Sequence, residues 1–328
     1  MTTIPTQQSD RPVAERLGLT VNGQQVSVEV DPDHSLLSVL RDQLGLISPK
    51  NGCEPQAACG CCTVLVEGKP RLACVTKPAS VVGKAITTAE GLSDNTRQQV
   101  ADCFVRTGGV QCGFCIPGFA MRAVALLDKK PDPSRAEIAR DLRGHLCRCT
   151  GYTKIVDAIA LLAKVRQGKS LPEPDRSGQV GTRLDRYRGQ EFVLGDFRYV
   201  DDIQIDGALF AAMRFSDHPR ARVKSIDPAA ALAMPGVHRV IRAEDVPGQR
   251  YVGLIVQDWP ILVAVGEETR CVGDILAIVV AEDQHTARRA AQRIHVDYEV
   301  LTPVTDPLEA LKPDAPKVHP DGNLLATS

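Results

Sequence analysis

Four cysteines in one stretch of the chain have the type and spacing of a metal site. Cys112 and Cys115 form a C-x2-C pair, and after 31 further residues Cys147 and Cys149 form a C-x-C pair. If folding brings the two pairs together, four thiolates surround one point, as a tetrathiolate metal site requires. Structural zinc sites mostly use two C-x2-C pairs, so this spacing favours an iron–sulfur cluster over zinc, with a disulfide last.

A second group of cysteines lies upstream, in the stretch CEPQAACGCCTVLVEGKPRLAC. Plant-type ferredoxins hold a [2Fe–2S] cluster with C-x4-C-x2-C and a distant fourth cysteine. Cys59, Cys62 and Cys74 match that pattern, but five residues instead of four separate Cys53 from Cys59. The predicted ligands are Cys53, Cys59, Cys62 and Cys74. Cys61 is a neighbouring thiol that could displace one of them.

The elements around the first group indicate a small α+β domain over residues 15–90. Apolar and polar residues alternate on both sides of Asn22-Gly23, which predicts a β-hairpin because both turn positions favour positive φ. A helical stripe of leucines follows, and two short strands come after the cysteine loop. The predicted elements are the hairpin at 17–30, a helix from Ser35 to Gly45, and strands at 63–67 and 71–75.

Around the second group the apolar period becomes helical. A helix is expected to begin at Pro117, directly after Cys115, so that the free amides of its first turn face the thiolates. Ser134 and Glu137 have the spacing of a capping box. Cys103 falls on an apolar helix face and is predicted to pack in the core. The predicted helices, at about 96–108, 117–127, 134–142 and 153–164, make a four-helix bundle over residues 91–168.

Residues 169–190 are polar and rich in Pro, Gly and Ser without an apolar period, which predicts a linker. Beyond it, residues 191–328 have an α/β pattern. The predicted elements are strands at 208–215, 222–226, 237–241, 275–281 and 294–300, with a short helix after Asp227-Pro228 and a longer one at 283–293.

The two tetrads in this order resemble the iron–sulfur part of the xanthine dehydrogenase and aldehyde oxidase family of molybdenum hydroxylases. The resemblance rests on the plant-type loop and on QCGFC…CRCTGY, and it covers roughly residues 15–168. The third segment resembles the α/β hammerhead domain that begins the family's molybdenum subunit, through GDFRYVDDI, HPRARVKSID, ALAMPGVHRVI, DVPG, CVGDILAIVVAE and HVDYEVLTPVTDPLEAL. It implies a multidomain α+β chain: a β-grasp [2Fe–2S] ferredoxin domain, a four-helix [2Fe–2S] bundle domain and an α/β hammerhead domain.

In that family, two [2Fe–2S] clusters pass electrons from a molybdopterin-bound molybdenum towards a flavin or another acceptor. The resemblance implies that Gln111 and Cys149 approach the pterin, whereas without it Gln111 would be an ordinary loop amide. A molybdopterin-binding subunit is therefore the expected partner, with the cofactor at its interface with this chain and a flavin subunit or other acceptor beyond. His145 and Arg148 are expected either to pair with the cluster's charge or to lie at the surface.

Family members often carry a flavin domain between the iron–sulfur and hammerhead parts. Here the short linker and the lack of a dinucleotide-binding loop predict no FAD site in this chain. The chain stops at DGNLLATS, where family members continue into the domains that bind molybdopterin and carry the catalytic glutamate. We therefore expect no catalytic residue here, and a molybdenum site completed by a second polypeptide unless the gene is truncated.

Composition narrows the class of protein. A net charge of −1 and 4% aromatic residues give no basis for nucleic-acid binding. No apolar run approaches the roughly 20 residues of a membrane span, and the first 16 residues lack an export signal. Eleven cysteines without such a signal indicate metal ligation in a reducing compartment, by default the cytoplasm.

Three functional hypotheses follow from the sequence. The chain is a subunit of a molybdenum hydroxylase that inserts oxygen from water into a C–H bond of an aldehyde or N-heterocycle, or a stand-alone [2Fe–2S] electron carrier, or a truncated inactive fragment. Zinc in either site would exclude the first two.

Overall fold

The structure is a computed structural model that describes residues 15–53, 55–174, 177–182, 184–319, 321–324 and 326–327. The prediction that the chain begins without an export signal falls mainly on residues 1–14, outside the described residues. The chain divides into two compact units between Ile203 and Gln204. Within the described ranges, no helix combines the length and the apolar character that crossing a bilayer needs.

The first unit opens with a five-stranded mixed sheet. Its strands are β1 (Glu15–Val21), β2 (Gln24–Val30), β3 (Thr63–Val66), β4 (Lys69–Leu72) and β5 (Ala85–Thr87), in the order β2-β1-β5-β3-β4. β1 and β5 are parallel, and the other pairs are antiparallel. Helix α1 (Leu36–Ser38) is capped by Ser35 and continues as a π-helical turn, Val39–Gln43. The apolar side chains of both helical turns pack on the sheet. The antiparallel pairing of β1 with β2 confirms the predicted hairpin, and the Ser35 cap confirms the predicted helix start.

Two details of this sheet differ from the prediction. Glu67 and Gly68 both have positive φ, 49° and 70°, so the turn has only two residues and β4 begins at Lys69 instead of residue 71. Cys74 consequently lies in a short 3₁₀ turn, Ala73–Val75. Strand β5 was not predicted, because three residues with a single buried side chain, Ile86, give no periodic signal.

The helical part of the first unit contains the four predicted helices. They are α2 (Asp94–Thr107), α3 (Ile116–Lys129), α4 (Arg135–Asp141) and α5 (Tyr152–Arg166). Ser134 and Glu137 form the predicted reciprocal capping box at the start of α4. Gly108 ends α2 in the left-handed conformation. A further short helix, α6 (Gly189–Leu194), begins where the predicted linker ends, and it packs in this first unit.

The second unit has the predicted α/β pattern. Its longer elements are β6 (Phe210–Phe215), β7 (Ala221–Asp227), α7 (Ala229–Leu232), β8 (Val237–Ile241), β11 (Ile275–Ala281), α8 (Gln284–Gln292) and β12 (His295–Val300). Two-residue strands β9 (Tyr251–Val252) and β10 (Trp259–Pro260) pair with each other, and α9 (Pro307–Ala310) follows β12. β11 lies between β6 and β8, and β12 pairs with β7, all antiparallel. The alanine-rich face of α8 packs in the core of this unit.

Candidate metal centres

The first cysteine group lies in the loop between the π-helical turn and β3, except for Cys74, which lies in the 3₁₀ turn after β4. The Cys53 thiol is in hydrogen-bonding contact with Cys59, and Cys62 is in the same kind of contact with Cys74. Cys59, Cys62 and Cys74 are buried, whereas Cys53 is partly exposed. The fold thus brings the four predicted residues together with one of them at the surface.

Backbone amides of this loop point at Cys53. Burial raises the pKa of the Cys53 thiol, but hydrogen bonds from the amides of Ala58, Gln56 and Cys59 and from the Cys59 side chain bring it down to about 7. Several amides aimed at one sulfur favour the thiolate, which is the form that binds metal. Ala57, inside the five-residue spacer, has a φ of 54°, an unusual conformation for a residue with a Cβ.

The second group is assembled from two segments. Cys112 is in contact with Cys149, and Cys115 with Cys147, so the four predicted residues again lie together. Cys115 directly precedes α3. The amide of Gly151, the residue before α5, donates to the sulfur of Cys147 over 3.4 Å. A small cavity between the pairs is lined by the four cysteines together with Gly109, Gln111, Gly113, Ile116, Gly151 and Ile155.

The chemistry of both donor sets fits a cationic metal group. Burial raises the pKa of Cys115, and the neighbouring Cys147 raises it further. Burial likewise raises the pKa of Cys62 to about 12. Crowded, buried thiols resist losing their protons without a counter-charge, and a bound metal supplies that charge and deprotonates them. Four sulfur donors with no carboxylate or imidazole among them suit iron–sulfur clusters or zinc.

The two groups are joined by close backbone packing. The Leu146 amide, next to Cys147, donates a 2.9 Å hydrogen bond to the carbonyl of Cys59. A Cβ at Gly118, in the first turns of α3, would lie 2.4 Å from the carbonyl oxygen of Gly60. Only glycine at position 118 therefore allows the helix that follows the second group to touch the loop of the first.

His145 fills the space between the two groups. Its ring is buried, its Nε2 lies 3.2 Å from the Thr63 hydroxyl, and a Cβ at Gly60 would stand 2.6 Å from the ring. Burial and the nearby Arg122 lower the pKa of His145 to about 4. The prediction of a surface position is wrong for His145, because the sequence does not reveal the Gly60 contact. Pairing with the cluster's charge stays a prediction. Arg148 is exposed, which agrees with the predicted surface position.

The outer side of the second group carries the residues predicted to approach a pterin. Gln111 and Cys112 are exposed and Cys149 is partly exposed, whereas Cys115 and Cys147 are buried. Gln111 lines the cavity beside the cysteines, and a Cβ at Gly151 would lie 2.7 Å from its side-chain oxygen.

A segment from beyond the predicted linker also supports both groups. Tyr199 donates its hydroxyl to the carbonyl of Cys112 at 2.7 Å. Asp202 bonds Lys50 and Arg41, each at 2.6 Å. The backbone amide of Lys50 in turn donates to the carbonyl of Cys61. Residues 152 positions apart meet in the Lys50–Asp202 pair, and the sequence gives no signal of it.

Lys50 and Asp202 are both almost completely buried as side chains. Burial lowers the pKa of Lys50, against the effect of its bond to Asp202. Burial would raise the pKa of Asp202, but the bonds from Lys50, the Tyr199 amide and Arg41 hold it below its usual range. Removal of either partner of this internal ion pair would leave an uncompensated charge in the interior and destabilise the first unit.

The remaining cysteines lie outside the two tetrads. Cys103 is fully buried among apolar residues, as predicted. Cys61 is buried next to Cys59. Cys271 belongs to the second unit, where its sulfur lies 3.7 Å from Asp274.

Comparison with known proteins identifies the three parts of the chain. Residues 19–79 match the model of the 2Fe-2S iron-sulfur cluster binding domain, and residues 88–160 match the [2Fe-2S] binding domain. Residues 194–302 match the a/b hammerhead domain of aldehyde oxidase and xanthine dehydrogenase. The chain therefore carries two [2Fe–2S]-binding domains and a hammerhead domain, and the choice of iron–sulfur over zinc is supported at the level of the domain families.

Full-length similarity to an iron–sulfur subunit decides the family. The nicotinate dehydrogenase small FeS subunit of Eubacterium barkeri is 41% identical over 144 residues, which are 44% of this chain and 91% of that subunit. The chain belongs to the xanthine dehydrogenase and aldehyde oxidase family of molybdenum hydroxylases. The resemblance and the fold class predicted from the sequence are confirmed.

Other family members match nearly the whole chain. The aldehyde oxidoreductase of Megalodesulfovibrio gigas is 38% identical over 323 residues, which are 92% of this chain and 35% of that protein. The crystal structure of the aldehyde oxidoreductase from Desulfovibrio desulfuricans ATCC 27774 aligns with a TM-score of 0.82 at 33% identity, covering 94% of this chain and 36% of that one. The chain thus spans about a third of the length of these two relatives.

Proposed function

We propose that this chain is the iron–sulfur electron-transfer portion of a molybdenum hydroxylase. In this role it conducts electrons from a molybdopterin site on a partner chain, through two [2Fe–2S] clusters, to an external acceptor. Such a cluster, when bound, takes up and releases electrons one at a time. The observation that carries the proposal is the direct link between the two cysteine groups, the hydrogen bond from Leu146 to Cys59.

That link supplies a short route through the protein. It runs from the sulfur of Cys59 along its own backbone to the carbonyl, across the 2.9 Å hydrogen bond to Leu146, and along one peptide unit to Cys147. The close contact of Gly118 in α3 with the Gly60 carbonyl holds the second cysteine group next to the loop of the first. A protein that only stored two clusters would not require their loops to touch.

The proposed ligands are Cys53, Cys59, Cys62 and Cys74 for the first cluster and Cys112, Cys115, Cys147 and Cys149 for the second. Burial supports a path that is accessible at both ends, and the resemblance to the family implies the direction of flow along it. Cys112 and Cys149 provide an exposed edge at the second group, the ligands that face the link are buried, and Cys53 provides a second accessible edge at the first group. Electrons would enter at the second group and leave at the first.

We further propose that Gln111 and Cys149 meet the molybdopterin cofactor at the interface with a molybdopterin-binding subunit. Their exposure beside the second group supports this. So does the similarity to a relative that is named a small FeS subunit. A flavin subunit or another acceptor would then receive electrons near Cys53.

The domain boundaries proposed are 15–90 and 91–168 for the iron–sulfur domains, 169–190 for a linker and 191–328 for the hammerhead domain. We also propose that the protein acts in the cytoplasm. All eleven cysteines are free in the structure, which agrees with a reducing compartment.

The experiment that tests the function is elemental analysis of the protein isolated from its own cells. We expect about four irons per chain with matching acid-labile sulfide, as two [2Fe–2S] clusters require, together with molybdenum and a second polypeptide. Iron without molybdenum or a partner would replace the proposal by a stand-alone electron carrier. A colourless, zinc-containing protein would refute both.

A further inference from the structure

The fifth cysteine of the first group lies beside one particular member of the tetrad. The sulfur atoms of Cys59 and Cys61 lie 3.0 and 3.1 Å from the point where a Cβ at Gly52 would stand. The two thiols are also in hydrogen-bonding contact. Gly52 thus leaves open a space that both sulfur atoms border.

The packing separates this pair from Cys62 and Cys74. Cys59 and Cys61, two residues apart, both contribute to the core shared with the helices, whereas Cys62 and Cys74 contribute to the core of the sheet. Gly60, the residue between them, has a φ of 71°, and both sulfur atoms lie on the side that faces Gly52. Cys53 also packs against this core, but Cys59 is the ligand whose thiol contacts Cys61 beside Gly52. Cys59 is therefore the ligand whose place Cys61 can take.

The backbone at Cys61 is held in place, and its sulfur contacts the ligand that it would replace. The amide of Lys50 donates to the Cys61 carbonyl at 3.1 Å, and the Cα of Cys61 lies against α3 at Gly118. The Cys61 sulfur contacts the Cys59 thiol and lies 3.8 Å from the carbonyl of Cys59. A change of side-chain torsion moves the sulfur while the main chain stays in place.

We propose that Cys61 is a built-in replacement ligand for Cys59 at the first iron–sulfur cluster. When Cys59 is lost, the Cys61 sulfur binds the iron in its place as a thiolate, and the thiol proton leaves to solvent. The inference rests on the proposed function, because it takes Cys59 as the resident ligand. The five-residue spacer adds one residue of slack on the Cys53 side of the same loop.

The test compares four variants of the full chain with wild type by iron content and by electron paramagnetic resonance after reduction. Cys59→Ala is expected to keep about four irons per chain, with shifted g-values for the first cluster. Cys59→Ala/Cys61→Ala is expected to lose half of the iron and the first signal. Cys61→Ala should keep both signals unshifted. Cys74→Ala is the control that loses the first cluster outright, because Cys74 packs in the core of the sheet and Cys61 packs in the other core.

The second cluster's signal serves as an internal check that each variant folds. Loss of the first signal in Cys59→Ala with the second retained would overturn the inference and leave the proposed function standing. Retention of the first signal in the double variant would also overturn it. A wild-type chain without four irons would instead refute the proposed function, so the two failures are distinguishable.

Discussion

The two cysteine groups reach the same set of donors by different routes. The first lies within one continuous stretch, residues 53–74, and amides of its own loop meet the charge of Cys53. The second joins segments that are 31 residues apart in sequence, next to the starts of α3 and α5. The first group thus depends on the conformation of a loop, and the second depends on the packing of a bundle.

Besides these separate local contacts, the two groups share a support from a distant segment of the chain. Tyr199 bonds the Cys112 carbonyl from 87 residues away, and Asp202 bonds Lys50, whose amide holds the Cys61 carbonyl. One distant segment therefore supports both groups. Substitutions inside one tetrad should affect one cluster, whereas substitutions in the shared supports should affect both.

The largest effect is expected from Cys147→Ala. Loss of this ligand should abolish the second cluster's electron paramagnetic resonance signal and half of the iron, and leave the first signal in place. Cys103→Ala removes a buried thiol from the same bundle without touching either tetrad, and it should keep both signals. If both signals survive in Cys147→Ala, the second tetrad is assigned wrongly.

The shared support is tested by Asp202→Asn. Removal of one partner of a buried ion pair leaves an uncompensated charge and typically costs about 3–5 kcal/mol, here on Lys50. Chemical denaturation, followed by the visible absorbance of both clusters, should give that loss in the free energy of unfolding. Asp201→Asn is the matched control, because its carboxylate is 88% exposed. An equal loss in both variants would contradict a role for the buried pair.

The contact between the groups is tested by Gly118→Ala. Alanine favours a helix over glycine by about 1 kcal/mol, but its Cβ would lie 2.4 Å from the Gly60 carbonyl oxygen. Overpacking of this kind typically costs about 1–3 kcal/mol, so we expect a net loss of stability and a weaker magnetic interaction between the reduced clusters. Gly144→Ala, where a Cβ meets nothing within 4 Å, should leave that interaction unchanged.

Much of this architecture was predictable because its signals are local. Cysteine spacing identified both tetrads that the fold brings together, and the Ser134–Glu137 spacing identified the start of α4. Contacts between distant segments were not predictable. The sequence around Gly60 and His145 does not indicate that the His145 ring packs against Gly60. Strand β5 is too short to produce a periodic pattern. These features depend on tertiary packing rather than on neighbouring residues.

The smallest effect concerns the loop of the first group. Ala57 has a φ of 54°, a left-handed conformation that costs a residue with a Cβ about 1 kcal/mol. Ala57→Gly should relieve that cost, and after the greater flexibility of glycine in the unfolded chain is subtracted, a gain of about 0.5 kcal/mol is expected. Ala58→Gly, at the next position and without positive φ, should instead lose about 0.5–1 kcal/mol. Denaturation midpoints that shift in the same direction for both variants would show that the extra residue of this loop is not held in a strained conformation.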